Sequence, residues 1–316
     1  MQTNTDWLRD AKWGLFFHYL DSPASHQGQS ATTSEEWNAR VNSFDVDSFA
    51  TQVVDTGAGY VGWTLGQNSG HYCSPNAAYD SFVGISPSKC STRDLLAEIA
   101  DALGDKGIKT LVYFTTGAPD QDPIAVEKLQ WKNGHERLAE FQPKWEAVIR
   151  EWSLRWGGKI AGWWLDGCYF SDAAYRHSQA PSFASFNAAL RAGNPNAIVA
   201  FNPGVNQRIL TIPDSGADYT AGEVDFALPL GNVPYEPQAP MWENGFVSGE
   251  RLHAFTFLGQ WWGAGTPRFP DEFVVGYTKH INAQEGAMTW DIPVSQQGAI
   301  PEEFMTQCRV LKAATR

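Results

Sequence analysis

Polar residues standing directly after short apolar runs are the side chains of this sequence best placed to do chemistry. Asp166 closes Gly162-Trp163-Trp164-Leu165, Glu223 follows Tyr219-Thr220-Ala221-Gly222, Glu243 follows Met241-Trp242, and Asp291 closes Ala287-Met288-Thr289-Trp290. His18 ends the run that begins at Trp13, and Gln67 and Asn68 follow the run that begins at Tyr60. Two carboxyl groups in one pocket can divide a reaction between them, one attacking as an anion and the other delivering a proton. An aspartate before a glycine is ordinarily a turn residue. Against that reading, Asp166 terminates a tryptophan-rich run with the character of a buried strand. The histidines form neither HxH after the first run nor HExxH, and Cys73, Cys90, Cys168 and Cys308 form no CxxC pair. No metal site is therefore expected, and the cysteines read as free thiols. The sequence has no phosphate loop, dinucleotide fingerprint or serine elbow, so no cofactor is implied.

These side chains need a scaffold that gathers strand ends. Trp13 to Tyr19, Tyr60 to Thr64, Lys109 to Phe114 and Ile160 to Leu165 are short and evenly apolar, the pattern of parallel strands buried on both faces. Helical spacing fills the gaps over Val46 to Thr56, Arg93 to Lys106 and Arg137 to Trp156, the second opened by Ser91 or Thr92 and closed around Gly104 and Gly107. The rhythm continues with a helix at Phe183 to Ala192 and strands at Ala197 to Phe201, Ala217 to Thr220, Pro240 to Glu243 and Ala287 to Ile292. Eight strands alternating with helices predict a (β/α)8 TIM-like barrel over residues 1–316, a single domain, with its active site at the C-terminal ends of the strands.

The composition narrows the partners. Among 316 residues there are 14 Trp and a formal net charge of -12. That charge opposes nucleic acid and anionic membrane surfaces, and no window is apolar enough to span a bilayer. The N-terminal stretch Met1 to Arg9 lacks the basic and apolar regions of a secretory signal, which leaves the compartment open. Aromatic faces with polar edges suit uncharged rings such as sugars. Several acids at a tryptophan-lined barrel mouth fit glycoside hydrolysis, with a carbohydrate as the expected partner.

In order along the chain stand Lys12-Trp13-Gly14-Leu15-Phe16-Phe17-His18, Glu36-Trp37, Phe44-Asp45-Val46-Asp47-Ser48-Phe49, Gly57-Ala58-Gly59-Tyr60-Val61-Gly62-Trp63-Thr64 and Trp164-Leu165-Asp166-Gly167. Asp218 to Glu223, Met241-Trp242-Glu243 and Glu285 to Pro293 follow. This ordered set resembles the α-L-fucosidases of glycoside hydrolase family 29 over almost the whole chain. The resemblance implies a (β/α)8-like catalytic domain, a retaining two-step exo-glycosidase mechanism and a nucleophile at Asp166. The chain is too short for the C-terminal β-sandwich that many members carry. For the general acid/base the resemblance offers Glu223 and, second to it, Glu243. It also implies sugar contacts from His18, Glu36 and Trp37; Trp164, Trp242 and Asp291 are further candidate substrate contacts, and Trp63 and Trp262 are candidate platforms, although a Trp on a barrel strand more often packs in the core. The family's paired histidines after the second strand are replaced by Gln67 and Asn68, which can bind hydroxyls but cannot become cationic. That change leaves open an α-L-galactoside or another α-linked substrate, and an inactive carbohydrate-binding protein on the same fold.

Overall fold

The computed structural model describes residues 4–22, 32–134, 136–205, 211–226, 228–231 and 242–315. Its strands are β1 (Trp13–Phe17), β2 (Tyr60–Thr64), β3 (Lys109–Thr115), β4 (Gly162–Asp166), β5 (Ile198–Phe201), β6 (Trp242–Glu243), β7 (Phe246–Val247), β8 (Glu250–Arg251), β9 (His253–Phe257) and β10 (Ala287–Asp291). Seven of them form one curled parallel sheet in the order β5-β4-β3-β2-β1-β10-β9. The remaining three, β6, β7 and β8, make a small antiparallel sheet.

The sheet is α/β and TIM-like, but among the described residues no regular eighth ladder closes it. Between β5 and β9 runs the segment 218–224, tied to β5 by Asp218 N to Val199 O (2.8 Å) and to β9 by Phe255 N to Gly222 O and Val224 N to Phe255 O (2.8 and 2.9 Å). In place of a sixth strand over Ala217 to Thr220 there are isolated parallel bridges, one at Tyr219 within that span and one at Glu223 beyond it. Gly222 has φ +66°, and a Cβ there would meet His253 O at 2.0 Å, so only glycine allows this close backbone approach. The seventh position differs from expectation too. It is taken by β9, whereas Trp242–Glu243 belong to the small sheet and residues 240 and 241 lie outside the described residues.

Strand parity divides the core in two, because successive side chains point to opposite faces. Phe16, Tyr60, Leu111, Tyr113, Trp164, Ile198, Ala200, Tyr219, Ala221 and Phe255 fill the inside of the curl. Leu15, Phe17, Val61, Trp63, Val112, Phe114, Trp163, Leu165, Val199 and Phe201 face the helices instead. Gly62 makes room for this packing, since a Cβ there would meet the Phe16 ring at 2.3 Å. The helix Phe141–Trp156 buries Trp145, Trp152 and Trp156 against the outer face, and the Trp145 indole donates to Thr115 O (2.9 Å). Each such burial removes 150–250 Å² of ring from water, worth about 3 kcal/mol or more at ~25 cal/mol per Å².

The helix Val46–Thr56 forms over the predicted span, opened by Asp45 and closed at Gly57 with φ +83°. The helix predicted from Arg93 runs instead over Leu95–Gly104, because Asp94 caps it by accepting from Ala97 N (3.1 Å). All four cysteines are buried and free.

Glu250 carries a consequence for stability. It is 8% exposed, and burial pushes its carboxyl from 4.5 up to about 8, opposed by a backbone hydrogen bond from Ile212 and reinforced by Asp218. Between these values the folded chain holds a proton that the unfolded chain has released, so stability falls as pH rises through that window. Glu250→Gln should raise Tm at pH 9 by roughly 2–6 °C and change it little at pH 4, as followed by thermal circular dichroism. An equal Tm difference at both pH values would contradict this linkage.

Candidate active site

The same parity that fills the core builds the site. His18 lies two residues beyond inward-facing Phe16, Asp166 beyond Trp164, and Glu223 beyond Ala221, while Asp291 closes β10 opposite Phe16 in register. Asn202 stands in the same relation to Ala200. All five therefore point inward at the C-terminal ends of their strands, the end at which β/α sheets gather reactive groups.

Asp166 is the hub. Its Oδ2 accepts from the Tyr113 hydroxyl (2.6 Å), and its Oδ1 accepts from Gly167 N (2.8 Å), Asn202 Nδ2 (2.9 Å) and the Tyr169 hydroxyl (3.5 Å). The turn bond expected of an Asp-Gly pair is made, yet it occupies one oxygen only in part. Asn202 Nδ2 donates its second hydrogen to Glu223 Oε2. One amide thus joins the two carboxyl groups. Burial first and the Asp166 charge second push the Glu223 carboxyl up to about 8, against the opposing Asn202 hydrogen bond. A glutamate so placed keeps its proton at neutral pH and can deliver it.

Gln67 Nε2 donates to the Tyr113 hydroxyl (2.6 Å). With that oxygen accepting from Gln67, its own hydrogen goes to Asp166. The Gln67 amide is therefore felt at Asp166 through Tyr113. Asn68 is half-buried, and its carbonyl accepts from Gln121 N (3.0 Å). His18 Nδ1 meets Asp291 Oδ1 at 2.7 Å, and Gly263 N donates to Asp291 Oδ2. Asp291 is fully buried behind His18, and burial raises its carboxyl while His18 lowers it. It orients the imidazole rather than lining the mouth. Trp262 packs at 5.7 Å from the His18 ring and 4.8 Å from Phe255 and Phe257. Tyr169, Phe226 and Trp261 are exposed, with Phe226 and Trp261 both against Phe257 at the end of β9.

Other predicted contacts fall elsewhere. Trp63 has the wrong parity for the interior and is fully buried against Phe17, Phe44 and Phe49. Trp37 is fully buried too, its indole donating to Tyr72 O (2.9 Å). Glu36 is exposed and caps its helix, accepting from Thr33 N (2.8 Å) while its own N–H donates to Thr33 Oγ1 (3.2 Å). Trp164 stacks on Tyr113 inside the curl and donates to Ala221 O (2.9 Å), a packing role that fixes the segment carrying Glu223.

Glu243 is exposed on β6, and Trp242 packs against the outer core cluster. The small sheet joins the main one before the start of β9, where Arg251 pairs with Asp6 (2.7 Å) and Leu252 N donates to Gly245 O (2.8 Å). That is the N-terminal end of the strands, opposite Asp166. The second candidate for the acid is thereby removed from the site.

Asn202 follows the apolar run of β5 directly, so the rule that singles out Asp166 would have found it. Tyr113 carries no such signal, being an aromatic within an apolar run. Among the described residues, no group of three His, Cys, Asp or Glu is placed to hold a metal ion, and no helix is long and apolar enough to cross a membrane.

Comparison with known proteins places this geometry. No protein-family model matches the chain, and no curated protein matches it in sequence. Among solved structures, the endo-fucoidan hydrolase MfFcnA4 from glycoside hydrolase family 107 superposes with a TM-score of 0.71 at 20% identity, over 98% of this chain and 53% of its own. The endo-fucoidan hydrolase P5AFcnA of that family gives 0.66 at 16% identity over 100% and 94%. The α-L-fucosidase AlfC from Lactobacillus casei, in complex with α-L-fucose product, gives 0.63 at 15% over 98% and 97%. The fold is fucosidase-like. At these identities the likeness is one of fold, shared by fucosidases and fucoidan hydrolases alike and not specific to family 29. The chain spans about half the length of MfFcnA4.

Proposed function

We propose that the chain is a retaining glycoside hydrolase that cleaves an α-L-fucoside or a closely related α-linked sugar. The observation that carries the reading is the single amide of Asn202 shared by Asp166 and Glu223. Two acceptors on one NH2 group are held side by side, an arrangement that favours the close pair of a retaining enzyme (~5–5.5 Å) over the wider one (~6.5–9.5 Å) that admits water in an inverting enzyme. Asp166 would attack the anomeric carbon while Glu223 protonates the departing oxygen. Glu223, now a base, would then activate water to break the glycosyl-aspartate ester. His18, its Nδ1 held by Asp291, offers Nε2 to a sugar hydroxyl, and Trp262 offers a ring face beside it. We read residues 1–316 as one catalytic unit, with 218–224 standing in for the missing strand.

The fucose-directed names of the structural neighbours support the sugar class, and the raised Glu223 supports the acid. Gln67 favours a shifted preference within that class, because its amide nitrogen is committed to Tyr113 rather than to substrate. We expect kcat/KM on an aryl α-L-fucoside to be lower than on an α-L-galactoside or a fucosyl oligosaccharide, measured across a panel of aryl α-glycosides and oligosaccharides. The best substrate is then followed by proton NMR. The α-anomer as first product supports the two-step scheme, and the β-anomer overturns it.

A further inference from the structure

The hydrogen bonds around Asn202 are directional. Its Oδ1 accepts from Gly204 N (3.1 Å), which fixes the amide rotamer and turns the NH2 group the other way, toward Asp166 and Glu223. Its backbone is tied at the end of β4, where its N–H donates to Leu165 O (2.7 Å) and its C=O accepts from Cys168 N (2.9 Å). Those two residues bracket Asp166 and Gly167. The side chain is 1% exposed and is held at every polar atom. Only an amide can do this. A hydroxyl has one hydrogen to give, and a carboxylate has none.

Resting on the reading of Asp166 and Glu223 as a working pair, we propose that Asn202 is the positioning residue that couples them, holding nucleophile and acid at one spacing through its two amide hydrogens. Without it the two carboxyl groups would share a pocket with no donor between them to fix their spacing or to stabilise Glu223 when it ionises. The amide meets Asp166 from β4 and Glu223 from the segment beside β9; around that pair stand Tyr113 from β3 and Tyr169 from the loop after β4, both bonded to Asp166, and Asp225, whose charge acts on Glu223. All are acceptors, acids or phenols. Asn202 is the one neutral side chain among them with two hydrogens to donate.

The test uses Asn202→Ala, which removes both donors, and Asn202→Asp, which keeps the shape but replaces the NH2 group by oxygen. Glutamate labelled with 13C at Cδ is titrated by NMR in the parent and in both variants, with Glu223→Gln assigning the resonance. Loss of the donor removes what stabilises the Glu223 carboxylate, so its midpoint should rise by about 0.5–1 pH unit in the alanine variant and further in the aspartate one. On the best glycoside, kcat should fall about 10–100-fold with KM within about threefold, and the alkaline limb of kcat/KM should move upward with the NMR midpoint. Should the alanine variant fail to fold, the aspartate variant alone decides. A folded variant whose midpoint and alkaline limb stay within about 0.2 unit of the parent would overturn the coupling. The NMR midpoint reports on the coupling even if the parent hydrolyses no glycoside, an outcome that would count against the hydrolase reading alone.

Discussion

Asp166→Gly is expected to retain the fold while losing on the order of 10⁴-fold or more in kcat. The reason is in its contacts. The carboxylate is half-buried, its bonds come from Tyr113, Tyr169, Gly167 and Asn202, and all of them are polar ties made at the strand ends rather than apolar packing. Removing it also removes the charge that faces Glu223. The space left is open to a small anion, so azide should restore part of the turnover on an activated aryl glycoside and yield a glycosyl azide of inverted configuration. Far-ultraviolet circular dichroism checks the fold, and product NMR checks the azide adduct. A variant with near-parent kcat would end the assignment of Asp166 as nucleophile.

The second large effect concerns pH. Glu223 holds its proton up to about 8, chiefly because burial disfavours its charged form, with Asp166 adding to the shift. A general acid works only while protonated. The parent's kcat/KM should therefore fall as pH rises through about 8. Glu223→Gln cannot titrate, so that limb should vanish. Its kcat/KM should drop about 10²–10⁴-fold on substrates with poor leaving groups and far less on a dinitrophenyl glycoside, which departs without a proton. Persistence of the limb in Glu223→Gln would show that another group carries the proton. Because Glu243 lies at the other end of the strands, Glu243→Gln should leave the profile unaltered.

The parallel strands were legible because burial on both faces writes an unbroken apolar run, and β2 appears over its predicted span. Strand parity needed the structure to set its phase: with Trp164 inward Asp166 is inward too, and with Tyr60 inward Trp63, read from the sequence as a sugar contact, faces the helices beside Val61. The helix Val46–Thr56 was legible because both of its caps are local.

Tertiary structure decided the rest. Segment 218–224 takes its place through a few scattered bonds to β5 and β9, pairings between residues far apart in the chain that leave no local period. β9 was hidden because His253 and Thr256 interrupt its apolar run. His253 is tolerated there since both its ring nitrogens are bonded, to Thr220 O (2.9 Å) and Thr289 Oγ1 (2.7 Å). A Trp-Glu pair reads alike in a pocket and on a small surface sheet, so only the position of β6 could separate Glu243 from Glu223. Asp291 and Gln67 share this ambiguity. Sequence gave each a polar group at a strand end, but whether that group meets a ligand or a neighbouring side chain depends on which strands become neighbours. Asp291 is turned to His18 and Gln67 to Tyr113, because the curl of the sheet brings β10 beside β1 and β3 beside β2.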